Sequence, residues 1–374
     1  MTRLAKFTVE GYRSFGKAVT IDFCAVHDYK FSKECVSDGV ITKVGIYGPN
    51  GCGKSNLGFA LMNIVSHLTD KESGILKNRP GIFLNVDENV HEAVFLYTFK
   101  IDDDFYTLEY HKKDEESISR EIFSVNEAIL YDYDYSKQVF AVKEMANLVS
   151  DNLNFAYLGD KMSVFRYIAN NSVQEEGSPI KAIMDFVSHM LWFRPVGGNS
   201  YIGLDTGVVN LDEWIVGNGH VADFTDFIKD VCNIDIELST VEGIDGKPLL
   251  VEKHDNGLLL FRNVSSSGTS AAELFYFWMK RFGEVSFLFI DEFDAFYHFA
   301  LAIRIVEKLK EYPEMQAVFT THNTALLGNS ILRPDCYLIF GNKVLRSYID
   351  MAGDREIREG HNLEKIYRSG GLDG

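Results

Sequence analysis

Apolar and polar residues alternate at every second place in "AKFTVEGYRSF" and again in "AVTIDF", with a Gly/Lys turn between the two segments. A period of two puts one face in a core and the other in water, so the chain is expected to open with two strands forming a hairpin. "GVITKVGIY" is more continuously apolar and suits a buried central strand. From Ser55 to about Thr69 the period changes, and Leu57, Phe59, Ala60, Leu61, Ile64, Val65 and Leu68 follow helical spacing. The order is strand, glycine-containing loop, helix.

From about His91 to Lys143 short alternating segments, "AVFLYTFKI", "FYTLEY" and "AILYDYDY", predict an antiparallel meander. Helical patterns follow in "MSVFRYIANN", "SPIKAIMDFVSHMLWF" and "HVADFTDFIKDVC", with "RPVGGNSYIG" as a loop. "IELSTVEGIDGKPLLVEKHDNGLLLFRNV" reads as strands turning at "IDGKP" and "HDNG". The remainder alternates: a helix from Thr269 to Phe282, a strand "VSFLFI", a helix around "HFALAIRIVEKLKEY", a strand "QAVFTT", then "CYLIF" and "VLRSYI". That rhythm predicts an α/β fold, a mixed sheet flanked by helices. Residues 1–90 and 236–374 would form its two halves, with 91–235 an inserted β-meander and helical subdomain.

A hydrophobic content of 46% with 13% aromatics is that of an ordered globular chain. No stretch approaches the roughly 20 apolar residues of a membrane span, and the N-terminus lacks the apolar core of a signal peptide. The expectation is a cytoplasmic protein without a membrane partner. Cys24, Cys35, Cys52, Cys232 and Cys336 are scattered, which argues for free thiols rather than disulfides or a zinc site. The net charge of -17 disfavours indiscriminate binding of nucleic acid and leaves room only for a local basic groove. The acids concentrated between Lys100 and Glu121 read as a solvated hairpin.

Chemistry concentrates in four segments. "GPNGCGKS" fits G-x-x-x-x-G-K-[ST] at Gly48, Gly53, Lys54 and Ser55, with Pro49, Asn50, Gly51 and Cys52 completing the loop and Asn56 following it. Such a loop turns backbone N–H groups onto phosphates at a helix N-terminus; the lysine reaches the β- and γ-phosphates and the serine hydroxyl can ligate Mg²⁺. In "FLFIDEFD" an apolar strand ends in Asp291, suited to the Mg²⁺ shell, and Glu292, suited to orienting or deprotonating water. "QAVFTTHNTALL" places His322 after the next strand, at the sheet edge where ligands bind in open α/β folds. "SSSGTSAAEL" begins like a linker, but its Ser and Gly residues at a helix start form a second anion site.

In that order, "GPNGCGKS", "SSSGTSAAEL", "FLFIDEFD" and "TTHN" resemble the ATP-binding cassette (ABC) type P-loop ATPases related to the heads of SMC and RecF proteins and to the OLD-like ATPases. "FTVEGYRSF" resembles their first strand, with Arg13 where a basic residue often lies close to the nucleotide. The ending "REGHNLEKIYRSGGLDG" and the 374-residue layout are similar to bacterial abortive-infection ATPases of anti-phage systems. The resemblance implies the ABC and SMC-head fold, with ATP and Mg²⁺ as ligands. It sets Ser266 on the serine of the LSGGQ signature and Gly268 on its second glycine, with Ser267 replacing the first glycine and Ser265 the leucine. In the family this segment binds the γ-phosphate held by the opposite subunit, which implies a homodimer or higher homo-oligomer. Asp294 corresponds to the position communicating across that dimer, and His322 to the switch histidine.

No glutamine occurs between Asn56 and Lys137, so the family's Q-loop residue is missing or replaced, with Asn85 or an acid of "NVDEN" as candidates. Together with the altered signature this implies a slow ATP hydrolase. The expected role is an ATP-dependent dimerising switch in phage defence. The chain ends soon after its C-terminal strands, leaving no room for an appended nuclease domain, so the effector, a nuclease or a toxin, would be a separate protein. The competing expectation is a RecF-like DNA clamp in repair or recombination. A transporter ATPase fits less well.

Overall fold

The computed structural model describes residues 1–71, 83–145, 153–156, 158–195, 200–204, 210–244, 246–295, 299–341 and 343–370. The two opening segments pair as β1 (Thr2–Glu10) and β2 (Val19–Asp22), antiparallel, with Phe7 opposite Ile21. A short ladder of β3 (Val36–Ser37) and β4 (Val40–Ile41) leads into β5 (Lys43–Tyr47), buried at every position. α1 (Lys54–Leu68) follows the glycine-containing loop.

The meander does form, as β6 (Ala93–Ile101), β7 (Asp104–Lys112), β8 (Ile118–Val125), β9 (Ala128–Asp134) and β10 (Val139–Lys143). Its strands extend the opening hairpin: β6 pairs along the whole of β1, giving one antiparallel sheet in the order β10-β9-β8-β7-β6-β1-β2. One face, carrying Phe7, Phe95, Tyr97, Leu108, Tyr110 and Phe123, is fully buried, as period-two patterning requires.

α2 (Val164–Asn171) and α3 (Pro179–Ser188) come next. The stretch "SPIKAIMDFVSHMLWF", expected as one helix, is split at His189: α3 ends there and β11 (Met190–Arg194) begins. Ile180, Ile183, Phe186 and Val187 keep helical spacing, whereas "MLWF" is apolar at four successive positions, all buried, as in a strand covered on both faces. β11 belongs to the second sheet, ordered β12-β11-β16-β17-β5-β18-β19, with β12 (Ser200–Gly203), β16 (Phe287–Ile290), β17 (Gln316–Thr321), β18 (Tyr337–Gly341) and β19 (Val344–Ser347). The five strands from β11 to β18 are parallel, and the edges β12 and β19 are antiparallel. The expected loop over "RPVGGNSYIG" thus begins and ends in strands, and its residues 196–199 lie outside the described residues. The stretch 91–235 is accordingly divided between the two sheets.

α4 (Leu211–Gly217), α5 (Val221–Cys232) and a three-stranded sheet of β13 (Leu238–Glu242), β14 (Pro248–His254) and β15 (Gly257–Leu260) precede α6 (Phe261–Val264) and α7 (Ser267–Met279). α8 (Phe299–Lys310) links β16 to β17, and α9 (Tyr348–Ala352) and α10 (Leu363–Arg368) close the chain's described part. Among the described residues no helix is long and apolar enough to cross a membrane.

α1 lies between the two sheets and is buried on nearly all sides. Toward the antiparallel sheet, Tyr97 Oη donates to the Ala60 carbonyl at 2.7 Å and Tyr110 Oη to Asn63 Oδ1 at 3.0 Å. Toward the parallel sheet, a Cβ at Gly58 would fall 2.6 Å from the Phe289 ring and 2.9 Å from Trp192 Nε1, so only glycine allows this approach.

Candidate nucleotide site

The phosphate loop runs from β5 into α1, with Gly53 at the helix N-cap and at φ 116°. A side chain there would be strained and would stand 3.0 Å from Ser14 Oγ. The hairpin loop and the phosphate loop therefore touch, and Asn56 Nδ2 donates to the same Ser14 Oγ at 3.0 Å. Lys54 folds back over the loop, donating from Nζ to the Gly48 carbonyl at 2.7 Å and the Pro49 carbonyl at 2.9 Å. Asn50, Gly51, Gly53, Lys54, Ser55 and Asn56 line a cleft of about 170 Å³, and Glu292 is the residue that closes it from the acidic strand.

That strand's end is tightly organised. β16 and β5 are separated by β17, so Asp291 and Glu292 reach the loop across the end of the intervening strand. Thr320 of β17 serves both acidic residues: its Oγ1 donates to the Asp291 carboxylate at Oδ1, 2.9 Å away, and accepts the Glu292 backbone N–H at 2.8 Å. Asp291 is fully buried. Glu292 has φ 52°, a left-handed conformation that costs a non-glycine residue about 1–3 kcal/mol and is maintained where the surroundings over-determine it. The Phe293 N–H to Thr320 carbonyl bond of 3.1 Å is part of what holds it.

Arg194, at the end of β11, was not among the residues anticipated from sequence. Its Nε donates to Asp291 Oδ2 at 2.9 Å, its Nη2 donates to that oxygen as well, and Nη2 also donates to Ser55 Oγ at 2.7 Å. Nε stands 4.0 Å from Glu292 Oε2. One guanidinium thus joins the loop serine to both acids. "MLWFR" has the same form as "FLFIDE", an apolar run ending abruptly in charge, and that signal marks Arg194 as the end of a buried strand facing a site.

Residues 197–328 match the family described as "AAA domain, putative AbiEii toxin, Type IV TA system". The match takes in Ser266–Gly268, Asp291, Glu292, Asp294 and His322 and leaves the phosphate loop outside it. The fold is a mixed α/β one in which a G-x-x-x-x-G-K-S loop joins a buried central strand of a mainly parallel sheet to a buried helix. The SMC head domain from Thermotoga maritima is 18% identical over 92% of this chain and 97% of that one, with a TM-score of 0.40. The Smc head domain with an extended coiled coil bound to the C-terminal domain of ScpA, derived from Pyrococcus furiosus, is 15% identical over 92% and 96%, with a TM-score of 0.46. An SmcHead bound to the C-winged helix domain of ScpA gives 16% identity over 92% and 96%, also at 0.46. No curated protein matches the chain in sequence.

Within this fold the other anticipated residues divide. Asn85 braces a loop: its Nδ2 donates to the Arg13 carbonyl at 2.6 Å and its Oδ1 accepts the N–H groups of Asp87 and Glu88. It does not line the cleft. The residue that the fold presents beside the acids, from the strand adjoining β16, is Arg194. Arg13 is at φ 48°, and its side chain lies over the Phe59 ring at 5.3 Å with Glu115 at 3.7 Å, facing the antiparallel sheet rather than the cleft.

His322 is exposed just beyond β17, and the turn that follows it is fastened from the tail. Arg368 donates to Thr324 Oγ1 from Nε at 3.1 Å and Nη2 at 2.9 Å, while Asn329 Nδ2 donates to the carbonyls of Arg358, Glu359 and His361. Asp294 is buried, and its Oδ1 has no hydrogen-bond partner among the described residues.

The signature segment starts its helix two residues earlier than expected, at Ser267, so Ser267 and Gly268 lie in the first turn. Ser266 is the N-cap, its Oγ accepting the Thr269 N–H at 3.1 Å. Ser266 and Ser267 are exposed and lie outside the lining of the cleft. Further along α7, Glu273 is buried against Asp212 of α4; burial, and then the Asp212 charge, push its carboxyl up to about 9.

Proposed function

We propose that the protein binds and slowly hydrolyses ATP with Mg²⁺ and acts as an ATP-dependent dimerising switch in anti-phage, abortive-infection defence, together with a separate nuclease or toxin as effector. The observation that carries this reading is the contrast between a cleft furnished with loop, lysine and Glu292, the neighbour of buried Asp291, and a signature segment that lies outside it, exposed at its own helix N-terminus. A second copy offering Ser266–Gly268 to the γ-phosphate supplies the missing half of the site. The defence role draws support from the family matched by residues 197–328.

Ser55 Oγ and the Asp291 carboxylate suit Mg²⁺, since both are hard oxygen donors already brought onto one cation, the Arg194 guanidinium. Bound there, Mg²⁺ would offset charge on the phosphates. The chain's own residues do the rest. Backbone N–H groups of the loop bind the phosphates, Lys54 exchanges its carbonyl partners for phosphate oxygens, and Glu292 orients the attacking water and accepts its proton. The base would occupy the adjoining cleft of about 460 Å³ between Ser14–Thr20, Asn85, Glu88 and Lys343.

Replacing Glu292 with glutamine keeps the shape of the site and removes the proton acceptor, so Glu292→Gln should accumulate an ATP-dependent dimer in light scattering. A Glu292→Gln chain that binds ATP and remains monomeric would overturn the switch. Tight binding of duplex DNA at low salt, where phosphate contacts are strongest, would instead favour a DNA clamp.

A further inference from the structure

We propose that Arg194 is an internal counter-ion that holds the metal position while the site is empty of nucleotide, and that it leaves Ser55 and Asp291 when nucleotide and Mg²⁺ enter together. This rests on reading the cleft as a Mg²⁺-nucleotide site. Asp291 is completely buried, and a buried carboxylate without a cation is costly. Arg194 supplies that cation, and its side chain is itself only 16% exposed. The same guanidinium occupies a lone pair of Ser55 Oγ at 2.7 Å and of Asp291 Oδ2 at 2.9 Å, the two oxygens suited to the metal.

The two cations exclude each other at that place. A guanidinium bonded to both oxygens stands where a cation shared by them would stand, and a dication beside it would be repelled in a poorly solvated site. Arg194 also has somewhere to go. Glu292 Oε2 is 4.0 Å from its Nε, and Glu292 lines the phosphate cleft, so a short swing keeps Arg194 paired and brings it toward the phosphates. The Trp192 ring, 5.8 Å from the guanidinium carbon, supports the side chain on this path. The exchange makes metal binding conditional: Ser55 and Asp291 are withheld from a free divalent ion and released in favour of one that arrives with nucleotide. It also places a cation near the phosphates when metal is absent.

Mn²⁺ serves as the probe, read by electron paramagnetic resonance of the full chain without nucleotide. Arg194→Gln is expected to raise Mn²⁺ affinity by about tenfold or more over the wild type. Adding Ser55→Ala to Arg194→Gln should abolish the gain, placing the ion at these oxygens. Metal-free ATP, held in EDTA and followed with a fluorescent analogue, should bind Arg194→Gln about tenfold more weakly. Should Arg194→Gln fail to fold, Arg194→Lys keeps a cation beside Asp291 through a single contact, and a several-fold rise in Mn²⁺ affinity is then expected. Equal Mn²⁺ affinity in wild type and a folded Arg194 variant overturns the inference. If ATP still binds the wild type, the nucleotide reading survives that result; if ATP binds with neither Mg²⁺ nor EDTA present, both fall.

Discussion

The cluster around Asp291 and the segment around Ser266 are both polar, yet they are satisfied in opposite ways. Asp291, Thr320, Arg194 and Ser55 bond to one another across three strands and a loop, mostly out of water. Ser266 bonds only locally, to Thr269 of its own helix, and its neighbourhood is open to solvent. A closed network contributes to the stability of the chain that contains it. An open one contributes little, and its remaining hydrogen-bonding capacity is directed outward. Residues in the first cluster should therefore be costly to change in the isolated chain, and residues in the second should matter when another molecule is present.

The largest effect is expected from Asp291→Ala, which removes the fully buried carboxylate that Arg194 and Thr320 both bond and should destabilise the fold by about 3 kcal/mol or more in chemical denaturation. Its counterpart, Ser267→Trp, should leave stability within about 0.5 kcal/mol while abolishing ATP-dependent dimerisation. If Ser267→Trp destabilised the isolated chain as much as Asp291→Ala does, the comparison would not hold. Thr320→Val removes a donor to Asp291 and the acceptor for the Glu292 N–H, and should cost about 1–3 kcal/mol, together with a loss of turnover that exceeds any loss of ATP binding.

Glu273 tests whether the helix behind the signature belongs with the closed cluster. Its carboxyl is raised from an ordinary 4.5 to about 9, so the folded chain keeps a proton that the unfolded chain gives up. That contribution is complete below pH 4.5, declines as pH rises, and is gone above about 9. Glu273→Gln should raise the melting temperature at pH 8, by the equivalent of roughly 1–2 kcal/mol, and flatten the pH dependence between those limits. A smaller combined effect is expected from Ser266→Ala, which removes a helix cap for about 1 kcal/mol, with a larger proportional loss of dimer than of stability in sedimentation measurements.

What could be read from the sequence follows the same division between local and distant. The G-x-x-x-x-G-K-S loop is eight consecutive residues, and Asp291 and Glu292 directly follow a four-residue strand, so each candidate stands out in adjacent letters. Arg194 is 97 residues from Asp291 and 139 from Ser55, and its strand was hidden by the helical spacing of the residues just before it. Thr320 looked like the polar end of an apolar strand; its function depends on β17 lying between β16 and β5. The fusion of hairpin and meander was likewise invisible, since alternation tells a strand which face to bury but not which partner to take. For Arg13 the position resembled the family, while the contacts of its side chain with Phe59 and Glu115 depend on distant residues.

The bonds along α1 carry a consequence of their own. Apolar contacts let a helix slide or roll at small cost, whereas a hydrogen bond fixes both height and azimuth. Ala60, Asn63 and His67 are each bonded to the antiparallel sheet, the last through Glu121 at 2.9 Å. They act as three index marks along one shaft. Lys54 and Ser55, at the head of that shaft, are thereby set to a scale engraved in a sheet that never touches the phosphate cleft.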